Sequence, residues 1–232
     1  MARLPRLDVP GIPQHVVVRG VDRQACFFAD GDYVDYLNDL RRAATQSDCA
    51  IHAYVLMTNH VHLLTSGHAL GSVSRMMQSV GRRYVRRLNT SHGRTGTLFE
   101  GRFRASLVQS ESHLLNCMRY IERNPVRAAM VQHPASYRWS SFRANAALAH
   151  DVLITAHAEY LALGVTPAQR AAAYSNLVAD DLDGGVVDAI RLHVNKDCAL
   201  GNDRFQQAVA RMCGRRTSVA GLGRPRGAGA GY

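Results

Sequence analysis

The chain of 232 residues is 47% hydrophobic, enough for a packed core, and its formal net charge of +10 favours a polyanionic partner such as nucleic acid. Five scattered cysteines argue against a zinc ribbon and against a disulfide scaffold. The sequence contains no apolar run that predicts a signal peptide or a membrane span, and no phosphate-binding loop that indicates ATP use. We therefore expect a cytoplasmic, nucleoid-associated protein that requires neither a membrane nor ATP.

The positive charge is concentrated in the first 150 residues, which hold 19 arginines and 10 acidic residues. Arginine binds phosphate oxygens through two parallel hydrogen bonds, so its predominance over lysine favours contact with phosphate. A basic surface without a specific partner is the alternative.

The first third of the chain predicts alternating strands and helices. Gln14–Arg19 is a short apolar segment typical of a buried strand. Apolar residues then recur at helical spacing over residues 30–44. Residues 51–57 and 60–66 predict two paired strands joined by a tight turn.

His60 and His62 lie two positions apart in the second of these paired strands. Alternate residues of a strand point to the same face, so both imidazoles are predicted to lie side by side. Paired imidazoles on a rigid strand form a half-site for a divalent metal, although such a pair can also serve only packing. His15 could face the same site, could be structural, or could contact the substrate.

Residues 72–88 predict a second helix, with an apolar stripe and several arginines outside that stripe. Few acidic residues of this helix could pair with the arginines, so we expect them to bind phosphate; a solvated face is the alternative. These arginines are Arg75, Arg82, Arg83, Arg86 and Arg87.

Residues 97–108 predict a strand pair, or one strand bent at a glycine. Phe99 and Phe103 lie beside Arg102 and Arg104 in this segment. The two rings could stack on bases while the arginines bind the backbone, or they could be ordinary core aromatics.

A third helix is predicted over residues 111–124, and Pro125 ends it. Tyr120 and Asn124 are four positions apart and therefore lie on one helical face. If this face meets the two histidines, Tyr120 is a candidate nucleophile and Asn124 a candidate oxygen ligand. A site of two imidazoles and one amide suits Mn²⁺ or Mg²⁺, and a nearby metal or base would help a phenol that is protonated at neutral pH.

The order of elements predicts an α+β fold, with a central antiparallel β-sheet and helices packed on one face of it. Residues 1–145 are expected to form this domain, residues 146–213 a small all-helical domain, and residues 214–232 a basic, disordered tail. The predicted C-terminal helical stretches are 156–163, 167–179, 185–195 and 203–213.

Four motifs in this order resemble the REP-associated tyrosine transposases, which belong to the HUH single-tyrosine transposase superfamily. They lie at residues 54–64, 96–103, 119–128 and 137–142, with the sequences YVLMTNHVHLL, GTLFEGRF, RYIERNPVRA and YRWSSF. The close resemblance covers about residues 10–145.

The resemblance implies a ferredoxin/RRM-like HUH fold, a metal (Mg²⁺ or Mn²⁺) bound by His60 and His62 with Asn124 completing the site, and Tyr120 as the group that attacks DNA. The family cuts single-stranded DNA beside imperfect palindromic hairpins, leaving a 5′-phosphotyrosine and a free 3′-OH. The covalent linkage preserves the bond energy, so strand transfer needs no ATP. The implied partner is single-stranded or hairpin DNA, bound by a monomer or a homodimer.

The sequence departs from its relatives in segment 19–23, where they usually carry asparagines, at Phe99 in place of tryptophan, and at Arg123 in place of leucine. The first two departures could change which DNA is recognised. Our predicted DNA-binding residues are Arg19, Arg23, Arg82, Arg83, Arg86, Arg87, Arg102 and Arg104.

Two other functions remain open from the sequence. One is a metal phosphoesterase that uses water on the same fold, and the other is a catalytically silent regulatory protein that binds hairpin DNA.

Overall fold

The computed structural model describes residues 6–219, so residues 220–232 of the predicted tail lie outside the described part of the chain. The strands are β1 (Gln14–Arg19), β2 (Cys49–Met57), β3 (His60–Gly67) and β4 (Arg104–Leu107). The helices are α1 (Asp30–Ser47), α2 (Ser72–Ser91), α3 (Ser110–Glu122), α4 (Asn124–Arg127), α5 (Phe142–Asn145), α6 (Ala158–Leu161), α7 (Pro167–Ala179), α8 (Gly184–Asn195) and α9 (Asp203–Cys213).

The four strands form one antiparallel sheet in the order β2-β3-β1-β4. The predicted pair of strands is present, and Met57 opposes His60 across the tight turn. In the centre of the sheet, Val17 of β1 opposes His62, and Arg19 opposes His60. The α+β architecture with a central antiparallel sheet is therefore confirmed.

Helices cover both faces of this sheet, so the prediction of helices on one face is wrong. Val18 lines a cavity together with side chains of α1 and α2. His62 opposes Val17, the neighbour of Val18, and its ring contacts Tyr120 of α3. Neighbouring residues of a strand point to opposite faces, so α1 and α2 lie on one side and α3 on the other.

The segment before β4 is mostly a loop and not the predicted strand pair. Only Arg104–Leu107 forms a strand, and Phe99 makes a single antiparallel bridge to Gly20. Gly101 has a φ of +75°, a conformation that favours glycine and turns the chain at the predicted bend.

The C-terminal helices pack into the same hydrophobic cluster as the sheet, with Tyr174 of α7 and Ile190 of α8 almost fully buried in it. Single bridges also join Ile51 to Ile154 and Val108 to Leu200. The division into domains at residue 145 stays a prediction. No helix of residues 6–219 is long and apolar enough to cross a membrane.

Candidate active site

Strand β3 presents its two histidines side by side, as the alternation of its residues predicts. The ring centroids of His60 and His62 are 5.0 Å apart, with the ring planes nearly perpendicular. His62 is buried and His60 is half-buried. Pairing with β1 and β2 on both sides fixes the backbone that carries them.

Asn59 determines which nitrogen of His60 carries the proton. Its side-chain nitrogen donates to the carbonyl oxygen of Arg23 at 2.9 Å, so its oxygen faces Nδ1 of His60, at 2.6 Å. An amide oxygen only accepts hydrogen bonds, so Nδ1 of His60 is the donor. The lone pair on Nε2 is thereby left for another ligand.

His15 holds His62 in the same manner from the neighbouring strand. Nε2 of His15 lies 2.8 Å from Nδ1 of His62, and both side chains are buried. Of the three roles considered for His15, this contact supports a structural one, as a partner of His62. When Nδ1 of His62 is the donor in this hydrogen bond, Nε2 of His62 is the nitrogen that can bind a ligand.

Burial keeps these imidazoles neutral at physiological pH. It lowers the pKa of His15 to about 3 and that of His60 to about 4, and the positive charge of Arg19 also lowers the His60 value. Burial lowers the pKa of His62 well below its usual range, with further effects of His15, His60, Arg127 and Arg19. A neutral imidazole is the form that binds a metal.

Helix α3 places Tyr120 beside these histidines. The sequence left open whether the face of α3 that carries Tyr120 meets them, and in the structure it does. The Tyr120 ring lies 5.8 Å from the His62 ring and 5.7 Å from the His15 ring, in edge-to-face contacts. Asn124 begins α4 one turn later, and its amide nitrogen donates to the Tyr120 carbonyl oxygen at 3.1 Å. The amide oxygen of Asn124 therefore remains for another partner.

Arg127 is a site residue that the sequence analysis missed. Its guanidinium lies 4.3 Å from the centroid of the Tyr120 ring, and it also donates a hydrogen bond to the Tyr120 carbonyl oxygen. Seven residues separate the two, about two helical turns, and this spacing was the available signal. Arg127 therefore places a positive charge beside the phenol.

Three of the predicted DNA-binding arginines lie next to the histidines. Arg19 opposes His60, and Arg104 opposes Val17, which in turn opposes His62. Arg19, Arg102 and Arg104 line one groove with Val17, and all three are exposed. Arg23 is also exposed. It lies near His60, because its carbonyl oxygen accepts a hydrogen bond from Asn59, which in turn contacts His60.

The predicted arginines of α2 lie on the other side of the sheet. Arg82, Arg83 and Arg86 are exposed, and Arg83 donates a weak hydrogen bond to Gln46 at 3.3 Å. Arg87 instead forms ion pairs within the chain, to the aspartates of α1, Asp35 at 3.3 Å and Asp39 at 3.2 Å. These partners belong to α1, and the acidic residues of α2 alone do not reveal them.

Phe99 and Arg123, two of the departures from the family, both contact other parts of the chain. The Phe99 ring packs on Tyr84 at 6.3 Å between centroids. Arg123 is buried and donates to the carbonyl oxygens of Val178 and Ala179 at the end of α7. Arg123 thus anchors α3 to the C-terminal helices.

The two histidines of β3 are the described side chains that best suit a divalent metal such as Mn²⁺. Two neutral imidazoles whose Nε2 atoms make no hydrogen bond within the described residues are donors that Mn²⁺ accepts. The Asn124 side chain contacts the Tyr120 carbonyl oxygen, and its role as a third ligand stays a prediction. Among residues 6–219, no three or more His, Cys, Asp or Glu side chains are arranged to hold a metal. Substrate oxygens or water would have to complete the coordination.

A family model described as "Transposase IS200 like" matches residues 8–124, which include both histidines, Tyr120 and Asn124. The chain belongs to this transposase family. The sequence-based recognition of a tyrosine transposase is thereby confirmed, and with it a transposase-like function on DNA and an enzyme of the transposase kind.

Solved structures add a match in fold. The structure of a REP-associated tyrosine transposase bound to a REP hairpin aligns with a TM-score of 0.55 and 17% identity, covering 68% of this chain and 96% of the other. A candidate transposase from Deinococcus radiodurans R1 aligns with a TM-score of 0.36 and 22% identity, covering 53% and 97%, too weak a match to carry an argument. No curated protein matches the chain.

Proposed function

We propose that this transposase cuts single-stranded DNA beside a hairpin and rejoins it to another strand through a covalent bond between Tyr120 and a 5′-phosphate. The observation that carries the proposal is the meeting of Tyr120 with His62 and His15 on one face of the sheet. A nucleophile and a metal half-site lie together there, bordered by exposed arginines.

In the proposed reaction, the phenolic oxygen of Tyr120 attacks the phosphorus of the scissile phosphate. The bond from phosphorus to the 3′ oxygen breaks, the phenol loses its proton, and the departing 3′ oxygen gains one. The phosphodiester is replaced by a phosphotyrosine of similar energy, so the 3′-OH of another strand can reverse the step without ATP. The groups meet within one chain, which favours a nucleophile and histidines from the same subunit.

The metal, Mn²⁺ or Mg²⁺, would be held by His60, His62 and the amide oxygen of Asn124, and when bound it would polarise a phosphate oxygen. The surrounding residues prepare this site. Asn59 and His15 orient the two imidazoles through their Nδ1 atoms. Arg127 stabilises the negative charge that develops beside the Tyr120 ring.

Hairpin DNA is the proposed partner because the aligned REP-associated tyrosine transposase is bound to one. Arg19, Arg102 and Arg104 give the groove beside the histidines the positive charge that a DNA backbone requires. A single strand leaving the hairpin would follow this groove to Tyr120.

The test is to incubate the chain with labelled hairpin DNA and Mn²⁺, denature the mixture, and measure the DNA that stays attached to protein. Tyr120→Phe should abolish the adduct, and His60→Ala should reduce it to background. Tyr160→Phe is the matched control, because Tyr160 lies in the C-terminal part and its hydroxyl bonds the Asn145 carbonyl. An adduct that survives Tyr120→Phe would refute the assignment of the nucleophile.

The same assay distinguishes the two other functions. A phosphoesterase that uses water would release DNA with a free 5′-phosphate and form no adduct. A binding protein without catalysis would bind the hairpin equally well with EDTA, and its binding would survive His60→Ala.

A further inference from the structure

A cavity of about 460 Å³ lies between α2 and the face of the sheet opposite the histidines. Its walls are mostly apolar, and two of its aromatic side chains come from the loop before β4. The principal apolar residues of the wall are Val18, Met77, Val80, Phe99 and Phe103. Cavities of this size with mostly apolar walls are typical binding sites for small organic groups.

The edge of this cavity is basic. Arg75 and Arg102 lie at the edge, and Arg6 places its guanidinium 3.6 Å above the centroid of the Phe103 ring. Arg6 also donates to the Phe103 carbonyl oxygen at 2.7 Å, which keeps its guanidinium against the ring. Aromatic walls with guanidinium groups at the entrance suit a ligand that joins a flat ring to a phosphate.

Arg102 connects the cavity to the candidate active site. It lines the cavity, and it also lines the groove that Arg19 and Arg104 form on the histidine face. Gly101 also lines both, and both residues belong to the loop that precedes β4, the strand at that edge of the sheet. A strand that occupies the groove can therefore reach the cavity without leaving the basic surface.

We propose that the cavity binds one unpaired nucleobase of the DNA strand, inserted beside Phe99 and Phe103 while Arg102 binds the adjoining phosphate. This inference rests on the proposed function, because the strand enters from the groove next to Tyr120. Insertion of a base fixes the strand at a defined distance from the nucleophile. The cavity thus contributes to the choice of the phosphate that is cut.

Gly81 provides a way to fill the cavity without disturbing the fold. It lines the cavity from α2, and a β-carbon added there meets no atom within 4 Å. Leucine is a much better helix former than glycine, so Gly81→Leu should not destabilise α2. Gly31→Leu is the matched control, because Gly31 is an exposed residue of α1 with equally open surroundings.

The experiment measures the affinity of the chain for a hairpin with single-stranded flanks, chosen as the tightest binder from a randomised pool. Single abasic sites are then placed at each flanking position. We expect one position at which loss of the base weakens binding to the wild-type chain about tenfold to a hundredfold, the range for one stacked base. Gly81→Leu should weaken binding of the intact DNA by the same factor and show no further loss at that abasic site.

The proposal is overturned if Gly81→Leu binds the intact DNA as tightly as Gly31→Leu and the wild-type chain, or if no single abasic site weakens binding. Failure of the wild-type chain to bind any hairpin of the pool overturns it as well. The covalent adduct is measured on the same samples. If Gly81→Leu removes the effect of the abasic site but no adduct forms, the result would support base binding in the cavity and refute only the covalent chemistry.

Discussion

In the proposed metal site, His15 would act on the metal only through His62, so its role would differ from that of a ligand. For His62 to offer Nε2, its Nδ1 must carry the proton and donate it to Nε2 of His15, at 2.8 Å. We predict that His15→Leu lowers the affinity for Mn²⁺ about tenfold to a hundredfold, because the buried donor of His62 loses its acceptor. Isothermal titration calorimetry measures this affinity without any DNA.

His15→Gln is the control for this prediction, because the glutamine side chain offers an oxygen that can accept the same proton. It should keep the Mn²⁺ affinity within a few fold of wild type. Equal affinities for His15→Leu and wild type would show that the contact between the two histidines does not orient the metal ligand.

The charge of Arg127 is expected to increase the rate of the proposed reaction. Its guanidinium lies over the Tyr120 ring, where it can stabilise negative charge as the phosphoryl group is transferred. We predict that Arg127→Ala slows adduct formation at saturating DNA roughly a hundredfold, whereas Arg127→Lys retains part of the rate because it keeps the charge. Single-turnover rates with quenching in denaturant measure the effect.

The matched control is Arg138→Ala. Arg138 also stacks over an aromatic ring, at 4.3 Å from the Trp139 centroid, but that ring stacks on Tyr33 of α1, and the arginine is exposed. Equal rates for the Arg127 and Arg138 variants would contradict the role given to Arg127.

Helix α2 shows that arginines of one sequence cluster can have different roles. Arg82 and Arg86 are exposed, whereas Arg87 pairs with Asp35 and with Asp39, whose side chain is only 1% exposed. We predict that the double variant Arg82→Ala/Arg86→Ala weakens DNA binding and reduces the slope of log affinity against log salt by about 2, one for each lost phosphate contact. Affinity measured at several salt concentrations tests this.

In contrast to the double variant, Arg87→Ala should reduce stability and leave DNA binding unchanged. Its removal leaves a buried carboxylate without its cation, so we expect the free energy of unfolding to fall by about 1–3 kcal/mol while the salt slope stays unchanged. An unchanged slope in the double variant would show that this side of the molecule does not bind DNA.

The strands and helices with a clear local sequence pattern were predicted correctly. β1 has the predicted bounds, and α7 begins at Pro167, where Thr166 accepts a hydrogen bond from the Gln169 nitrogen. The spacing of His60 and His62 correctly placed both rings on one face.

Interactions between distant segments were not predictable from local pattern. The order of elements does not show which face of the sheet a helix covers. The arginines of α2 were therefore listed together with the arginines near the histidines, although α2 lies on the opposite face of the sheet. For the same reason, the carboxylates of α1 that bind Arg87 were missed. The segment before β4 has strand-like composition, but pairing there stops after the single bridge from Phe99 to Gly20, because Gly101 turns the chain.

The whole molecule is held together by buried polar groups as well as by its core. Glu122 accepts hydrogen bonds from Ser141 at 2.5 Å, Asn145 at 2.7 Å and Tyr174 at 2.6 Å, which joins α3 to segments on both sides of the predicted boundary. His52 of β2 similarly bonds the Thr155 carbonyl at 2.8 Å. These contacts predict a single cooperative unfolding transition across residues 6–219.

The same groups predict how stability depends on pH. Burial lowers the pKa of His15 to about 3 and the pKa values of His52 and His60 to about 4, below their ordinary 6.5. Between about pH 4 and pH 6.5 the unfolded chain therefore binds more protons, and the free energy of unfolding rises with pH. Burial raises the pKa of Glu122 from 4.5 to about 7, so this group has the opposite effect as pH rises through that window.

Burial also lowers the pKa of His62, so four histidines outweigh one carboxyl. We therefore predict a net rise in the free energy of unfolding from pH 4 to pH 6.5, measured by urea denaturation in EDTA. His52→Gln should make the rise less steep, by at most about 1.4 kcal/mol for each pH unit, the limit for one proton. Glu122→Gln should make it steeper, because the opposing proton is removed. A rise that neither variant changes would mean that other groups control the pH dependence.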